Sequence, residues 1–143
     1  MPLTRLLLYR EDDGTIPFID WLQKQQPKVL AKCQVSLERL SELGHELRRP
    51  EADYLRDDIY ELRVGMRGQN YRMLYFFYGR DVVVLSHGLT KEATVPAKEI
   101  DRAINRRSKF LAYPTLHTAL YANEEHQDED DKDEENQDDQ QRS

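Results

Sequence analysis

The sequence predicts an α+β fold, an antiparallel sheet with two N-terminal helices packed on one face and a C-terminal helix. Three observations lead there. Residues 59–91 hold three runs dense in Val, Ile, Tyr and Phe, broken at Arg67-Gly68 and Gly79-Arg80, the pattern of consecutive strands joined by tight turns. Residues 17–43 carry apolar positions at helical spacing, with Pro17 and Pro27 suited to first turns and Gly44 to a stop. Residues 96–109 form a last amphipathic stretch with Ile100, Ala103 and Ile104 on one side.

The elements follow in order. Residues 3–9 are a short apolar run, expected as a strand. Asp12, Asp13 and Gly14 mark a turn, and Thr15 is expected to cap a helix that runs to about Gln25 with Phe18, Trp21 and Leu22 on one side. A second helix starts at Pro27 and carries Val29, Leu30, Cys33, Leu37, Leu40 and Leu43. Residues 45–57 read as a polar connection, with Arg48 and Arg49 in solvent. Period-two alternation then assigns Tyr60, Leu62, Val64, Tyr71, Met73, Tyr75, Phe77, Val82 and Val84 to the face that receives these helices. The opposite face carries Ile59, Glu61, Arg63, Arg72, Leu74, Phe76, Val83, Leu85 and His87. The last helix, capped by Thr94, is the expected cover for that face. Residues 111–123 show no firm period, and no element is assigned to them.

Charge divides the chain unevenly. From Glu124 onward there are 11 acidic residues against two basic ones, about −9, while the preceding residues sum to about +3. Residues 1–114 are expected to form one domain and residues 115–143 an acidic tail that buries too little apolar surface to order itself. Residues 59–110 hold 10 basic residues against 5 acidic, a balance that suits an anionic partner. The single Cys33 excludes an internal disulfide and reads as a small core residue. Neither a secretory leader nor a run long enough for a membrane span is evident, so a cytoplasmic location without membrane contact is expected.

Two-residue turns would place Arg63 opposite Arg72 across the first hairpin and Arg72 opposite His87 across the second. Like charges directly opposite each other destabilise a sheet, and a bound anion such as a phosphate would relieve them. Two guanidiniums can clamp the non-bridging oxygens of a phosphodiester and stabilise a pentacoordinate transition state. His87 titrates in the range needed to give or take a proton, and Lys91 beside arginines is pushed toward a lower pKa. Together these groups suffice for metal-free RNA cleavage through a 2′,3′-cyclic phosphate. His45, His87, His117 and His126 lack paired ligand spacing, and no Gly-rich phosphate loop is present, so no metal and no cofactor is expected. Ser86 should point away from His87. Spacing alone favours a plainer account, in which the arginines pair with carboxylates such as Glu61 and His87 is a hydrogen-bonded strand-end residue.

IYELR (59–63), YRMLYFF (71–77), VVLSHGLTK (83–91) and the P-A-K-E-I-x-x-A pattern (96–103) resemble the RelE/ParE superfamily of type II toxins, most nearly its phage-derived HigB-like branch. The resemblance covers about residues 3–110 and implies a RelE-like fold. It further implies a ribosome-associated mRNA endoribonuclease acting in the A site and neutralised by a cognate helix-turn-helix antitoxin, through which alone it meets operator DNA. On these matches Arg63 and Arg72 would stabilise the phosphate, His87 and Lys91 would form the acid–base pair, and Arg67 would join Arg63, Arg72 and Lys91 in binding RNA. Glu92 and Val95 stand where the branch usually carries basic residues. The alternatives are a ParE-like gyrase inhibitor and a degenerate toxin kept as a binding module.

Overall fold

The computed structural model describes residues 3–90 and 93–121. Its elements are β1 (Arg5–Tyr9), α1 (Pro17–Leu22), α2 (Pro27–Leu43), a short 3-10 turn (Gly44–Glu46), β2 (Ala52–Arg56), β3 (Ile59–Met66), β4 (Gln69–Phe77), β5 (Val82–Thr90), α3 (Ala97–Ala112) and β6 (Thr118–Leu120). The six strands form one sheet in the order β2-β3-β4-β5-β1-β6. β1 runs parallel to β5, and every other neighbouring pair is antiparallel. This is the expected α+β architecture and is consistent with a RelE-like fold.

Two cores sandwich the sheet. On one face Phe18, Leu22, Val29, Cys33, Leu37 and Leu40 of α1 and α2 pack on Leu6, Leu8, Leu62, Met73, Tyr75, Val83 and Leu85. On the other, Ile100, Ala103 and Phe110 of α3 pack on Leu7, Tyr9, Ile59, Leu74, Phe76 and Val84. The inner strands β1, β4 and β5 therefore bury both of their faces over most of their length, which explains the nearly continuous apolar runs of β4 and β5.

The first hairpin forms as counted. Arg67 and Gly68 both take positive φ, 54° and 79°, as a two-residue turn between right-twisted strands requires, and Arg63 stands opposite Arg72. The second hairpin departs from the count twice. Its turn takes three residues, with the N–H of Tyr78 bonded to the carbonyl of Val82 at 2.8 Å. That one-residue change turns β5 over, so Val83 and Leu85 join the α1/α2 core while Val82 and Val84 face α3, the reverse of the expected assignment. A bulge then intervenes, because Tyr75 pairs with Leu85 and Leu74 with His87, leaving Ser86 as the extra residue. The bulge restores His87 to the α3 face but moves it along the strand. Arg72 consequently stands opposite Leu89, not His87.

Other departures have local causes. α1 ends at Leu22 rather than near Gln25, since Gln26 must be extended before Pro27, with φ −69° and ψ 156°. Thr15 does not cap it: Ile16 is the N-cap, and Thr15 instead donates from N and Oγ1 to Asp13 Oδ1. Pro96 rather than Thr94 precedes α3. Residues 52–56, expected as a connection, form β2, which turns into β3 through Asp57 and Asp58 at φ 49° and 69°. β6 lies beyond the expected boundary at residue 114 and pairs with β1, while His117 stacks on Tyr9 and bonds the carbonyl of Arg10 through Nδ1.

Trp21 and Gly88 fix how α1 meets β5. A Cβ built on Gly88 would lie 2.1 Å from Cδ2 of Trp21, so the indole occupies the space a side chain would need. Trp21 Nε1 donates to Thr90 Oγ1 at 2.9 Å and completes the lock.

Candidate functional site

Arg63 and Arg72 are brought together as neighbours on β3 and β4, and a carboxylate from β3 lies between them. Glu61 Oε1 accepts from Arg72 Nη1 at 2.5 Å, and Oε2 accepts from Arg63 Nε at 2.9 Å. Within the protein, Glu61 thus supplies the counter-charge that the opposed arginines need. Arg72 is the more enclosed of the two, with its side chain 10% exposed and a second bond from Nη2 to the carbonyl of Ala93 at 2.6 Å. It therefore ties the segment after β5 back to β4. Arg63 is 36% exposed and reaches Asp53 at 3.3 Å, which itself pairs with Arg49. Hydrogen bonding from Arg49 holds the Asp53 carboxyl below its usual range, with the charges of Arg49 and Arg63 adding to the effect.

His87 lies on the same face as Arg72 but beneath the first turns of α3, its side chain 8% exposed. Nε2 is 3.0 Å from Glu99 Oε1, and Nδ1 is 2.8 Å from Ser86 Oγ. A carboxylate only accepts, so Nε2 carries the proton and Nδ1 accepts from the Ser86 hydroxyl. Burial and the nearby Arg106 push the imidazole pKa down to about 4, against the opposing pull of Glu99. The ring is therefore neutral at physiological pH. The bulge turns Ser86 Oγ toward His87, contrary to the expected outward orientation, and Arg106 Nη1 approaches the same hydroxyl at 3.4 Å. Arg106 is anchored in turn by Glu11, and Glu99 also pairs with Arg102.

Arg67 sits exposed at the tip of the first hairpin, away from His87. Lys91, Glu92 and the acidic tail from residue 122 lie outside the described residues. The structure thus joins Arg63 to Arg72 directly, sets His87 diagonally from Arg72, and leaves Arg67 apart. Sequence reasoning passed over Glu99, Arg102 and Arg106 around His87 and turned Ser86 the wrong way. The three α3 residues recur at helical spacing beside the apolar stripe, which was the available signal. Among the described residues, no group of three or more His, Cys, Asp and Glu side chains is placed to hold a metal ion. No helix there is long and apolar enough to cross a membrane.

The family model "Phage derived protein Gp49-like (DUF891)" matches residues 20–108, from within α1 to within α3. The chain belongs to this family. The Gp49-like family is toxin-like and related to the nucleases of toxin–antitoxin systems. The match takes in Arg63, Arg67, Arg72, His87 and Lys91. No curated protein matches the chain.

Proposed function

We propose that this Gp49-like protein is the toxin of a type II toxin–antitoxin system, of the RelE/ParE superfamily and its HigB-like branch, and cleaves mRNA in the ribosomal A site. The observation that carries the reading is the Arg63–Glu61–Arg72 cluster: two guanidiniums on adjacent strands, oriented by the two oxygens of one buried carboxylate. Arg63, half-exposed, is the group able to meet a scissile phosphate. Arg72 acts as a positioning residue through Glu61 and through Ala93, which follows Lys91 closely in sequence. Neutral His87 is in the form that takes a proton, as attack by a ribose 2′-hydroxyl requires, and Lys91 serves the leaving oxygen. RNA reaches His87 when the Glu99 end of α3 moves aside, which frees Nε2 from its carboxylate; the neutral ring then carries its proton on Nδ1, toward Ser86 Oγ, and offers Nε2 as the acceptor. A cognate helix-turn-helix antitoxin neutralises the toxin and carries it to operator DNA, and both act in the cytoplasm.

Pulse expression with mapping of mRNA 5′ ends tests this. Cuts at A-site codons and growth arrest are expected with the native chain, and both are lost with Arg63→Ala and with His87→Ala while the proteins remain folded. Arrest that persists in both variants rejects the mechanism.

The burial of His87 favours a second reading, in which the protein is a toxin-like binding module without cleavage. Arrest with intact mRNA would select it, and DNA-damage signalling in addition would point to gyrase as the target.

A further inference from the structure

The α1/α2 face of the sheet carries a cationic groove that the site around Arg72 and His87 does not use. Its walls are the α1–α2 connection with the start of α2 on one side, and the outer edge of β3 with the first hairpin on the other. β2 pairs with β3 only as far as Leu62, so residues 64–66 of β3 have no strand beside them on that side among the described residues. One hollow of about 340 Å³ follows that edge, and a second of about 340 Å³ lies over the hairpin end of the sheet, reaching Tyr71 of β4 and Thr90 of β5; their linings adjoin at Gly65 and Met66 on β3 and come within two residues at Val29 and Ala31 on α2.

The lining is one-sided in charge. Lys24, Lys28 and Arg67 line the hollow at the hairpin, and Lys32 and Arg63 line the next one. Among the described residues, no carboxylate lines either hollow. Arg63 is held by Glu61 and Asp53, and Lys32 caps the carbonyl of Gly65 at 3.3 Å. Lys24, Lys28 and Arg67 have no ion-pair partner among the described residues. Such a row of like charges is held apart from any internal neutralisation, so its electrostatic cost is relieved when an anion enters. Gln25, Gln26 and Gln69 supply amide donors and acceptors around the same cations. That composition suits phosphates interleaved with hydroxyls, and the hollows are too small for a duplex.

We propose that this groove binds the sugar–phosphate backbone of single-stranded RNA, running from Lys24, Lys28 and Arg67 toward Arg63. The inference rests on the RNA-cleaving reading and adds where the RNA strand lies. Arg63 is the junction, since it lines the groove and also belongs to the Glu61 cluster. Substrate then approaches around the β3 edge, from the face of the sheet opposite His87.

The test is fluorescence anisotropy of a 5′-labelled oligouridylate with the full chain over a range of salt. The double variant Lys28→Ala/Arg67→Ala is compared with Arg80→Ala/Lys98→Ala, which removes the same charge from exposed positions outside the groove. The groove variant is expected to bind at least about tenfold more weakly, with its salt slope lower by about 1.4, from about 0.7 for each phosphate no longer neutralised. The control pair should stay near the native affinity. Equal weakening in both pairs, or native affinity in the groove variant, overturns the proposal. So does displacement of the RNA by polyglutamate at matched charge concentration, which would make the groove an acidic-peptide site. Mapping of mRNA ends separates the two readings: groove-dependent binding without cleavage leaves the groove standing, and cleavage with groove-independent binding leaves the enzyme standing.

Discussion

Glu61 accepts a hydrogen bond from Arg72 at 2.5 Å with its own side chain only 2% exposed. The pair is a buried charge couple, and its worth depends on both partners being present. Glu61→Gln would leave Arg72 facing Arg63 without a counter-charge between them. Losing one member of such a pair costs about 3–5 kcal/mol. Urea unfolding of Glu61→Gln should show that loss, and Glu61→Leu/Arg72→Met should recover part of it because no buried charge is then unpaired. A cost below the range of a surface substitution would mean that Arg63 and Arg72 find other partners.

Trp21 over Gly88 gives a steric prediction. Gly88→Ala puts a methyl group where the indole sits, and overpacking of this kind costs about 1–3 kcal/mol. Trp21→Phe frees space at the same point, so the double variant should be less destabilised than the two single effects summed. Denaturation followed by circular dichroism measures all three. Strict additivity would show that the indole moves aside without strain.

The first hairpin was legible because turn length and turn chemistry coincide at Arg67-Gly68, and the Arg63–Arg72 pairing follows from them. The second was not. A three-residue turn at Gly79–Asp81 looks in sequence much like a two-residue one, and both faces of β5 are apolar, so no alternation exposed the slip. The Ser86 bulge adds a second shift of the same kind, which is why His87 recovers its face while losing its place opposite Arg72. β2 escaped notice because its Asp53 and Arg56 pair with other charges instead of presenting an apolar stripe. Glu61 stood in plain view, two residues from Arg63. Only the fold shows that each of its oxygens takes one arginine, because the Arg72 contact spans two strands.

Cys33 is wholly enclosed on the sheet-facing side of α2, and burial pushes its thiol up to about 11. Native protein near pH 8 should therefore resist a disulfide-exchange reagent, and labelling should appear only as urea opens the α1/α2 core. The labelled fraction should track the unfolding curve. Prompt labelling in native buffer would show that this core opens locally.

His87 sets the acid sensitivity of the fold. Its ordinary pKa of 6.5 falls to about 4 in the folded chain, chiefly by burial and then through Arg106 and Arg102, with Glu99 opposing. Below pH 6.5 the unfolded chain therefore gains a proton that the folded chain does not. Stability should be full above that pH and decline as the pH falls toward 4, with a slope approaching one proton. The carboxylates of Glu51 and Asp53, held below their usual range by Arg39 and Arg49, add their own loss at lower pH still. The interval from about 6.5 down to about 5 lies above the onset of that carboxylate loss. Urea midpoints measured across it should fall for the native chain and stay level for His87→Gln, whose amide remains neutral and can still meet Glu99 or Ser86. A parallel decline in both proteins would assign the acid sensitivity to groups other than His87.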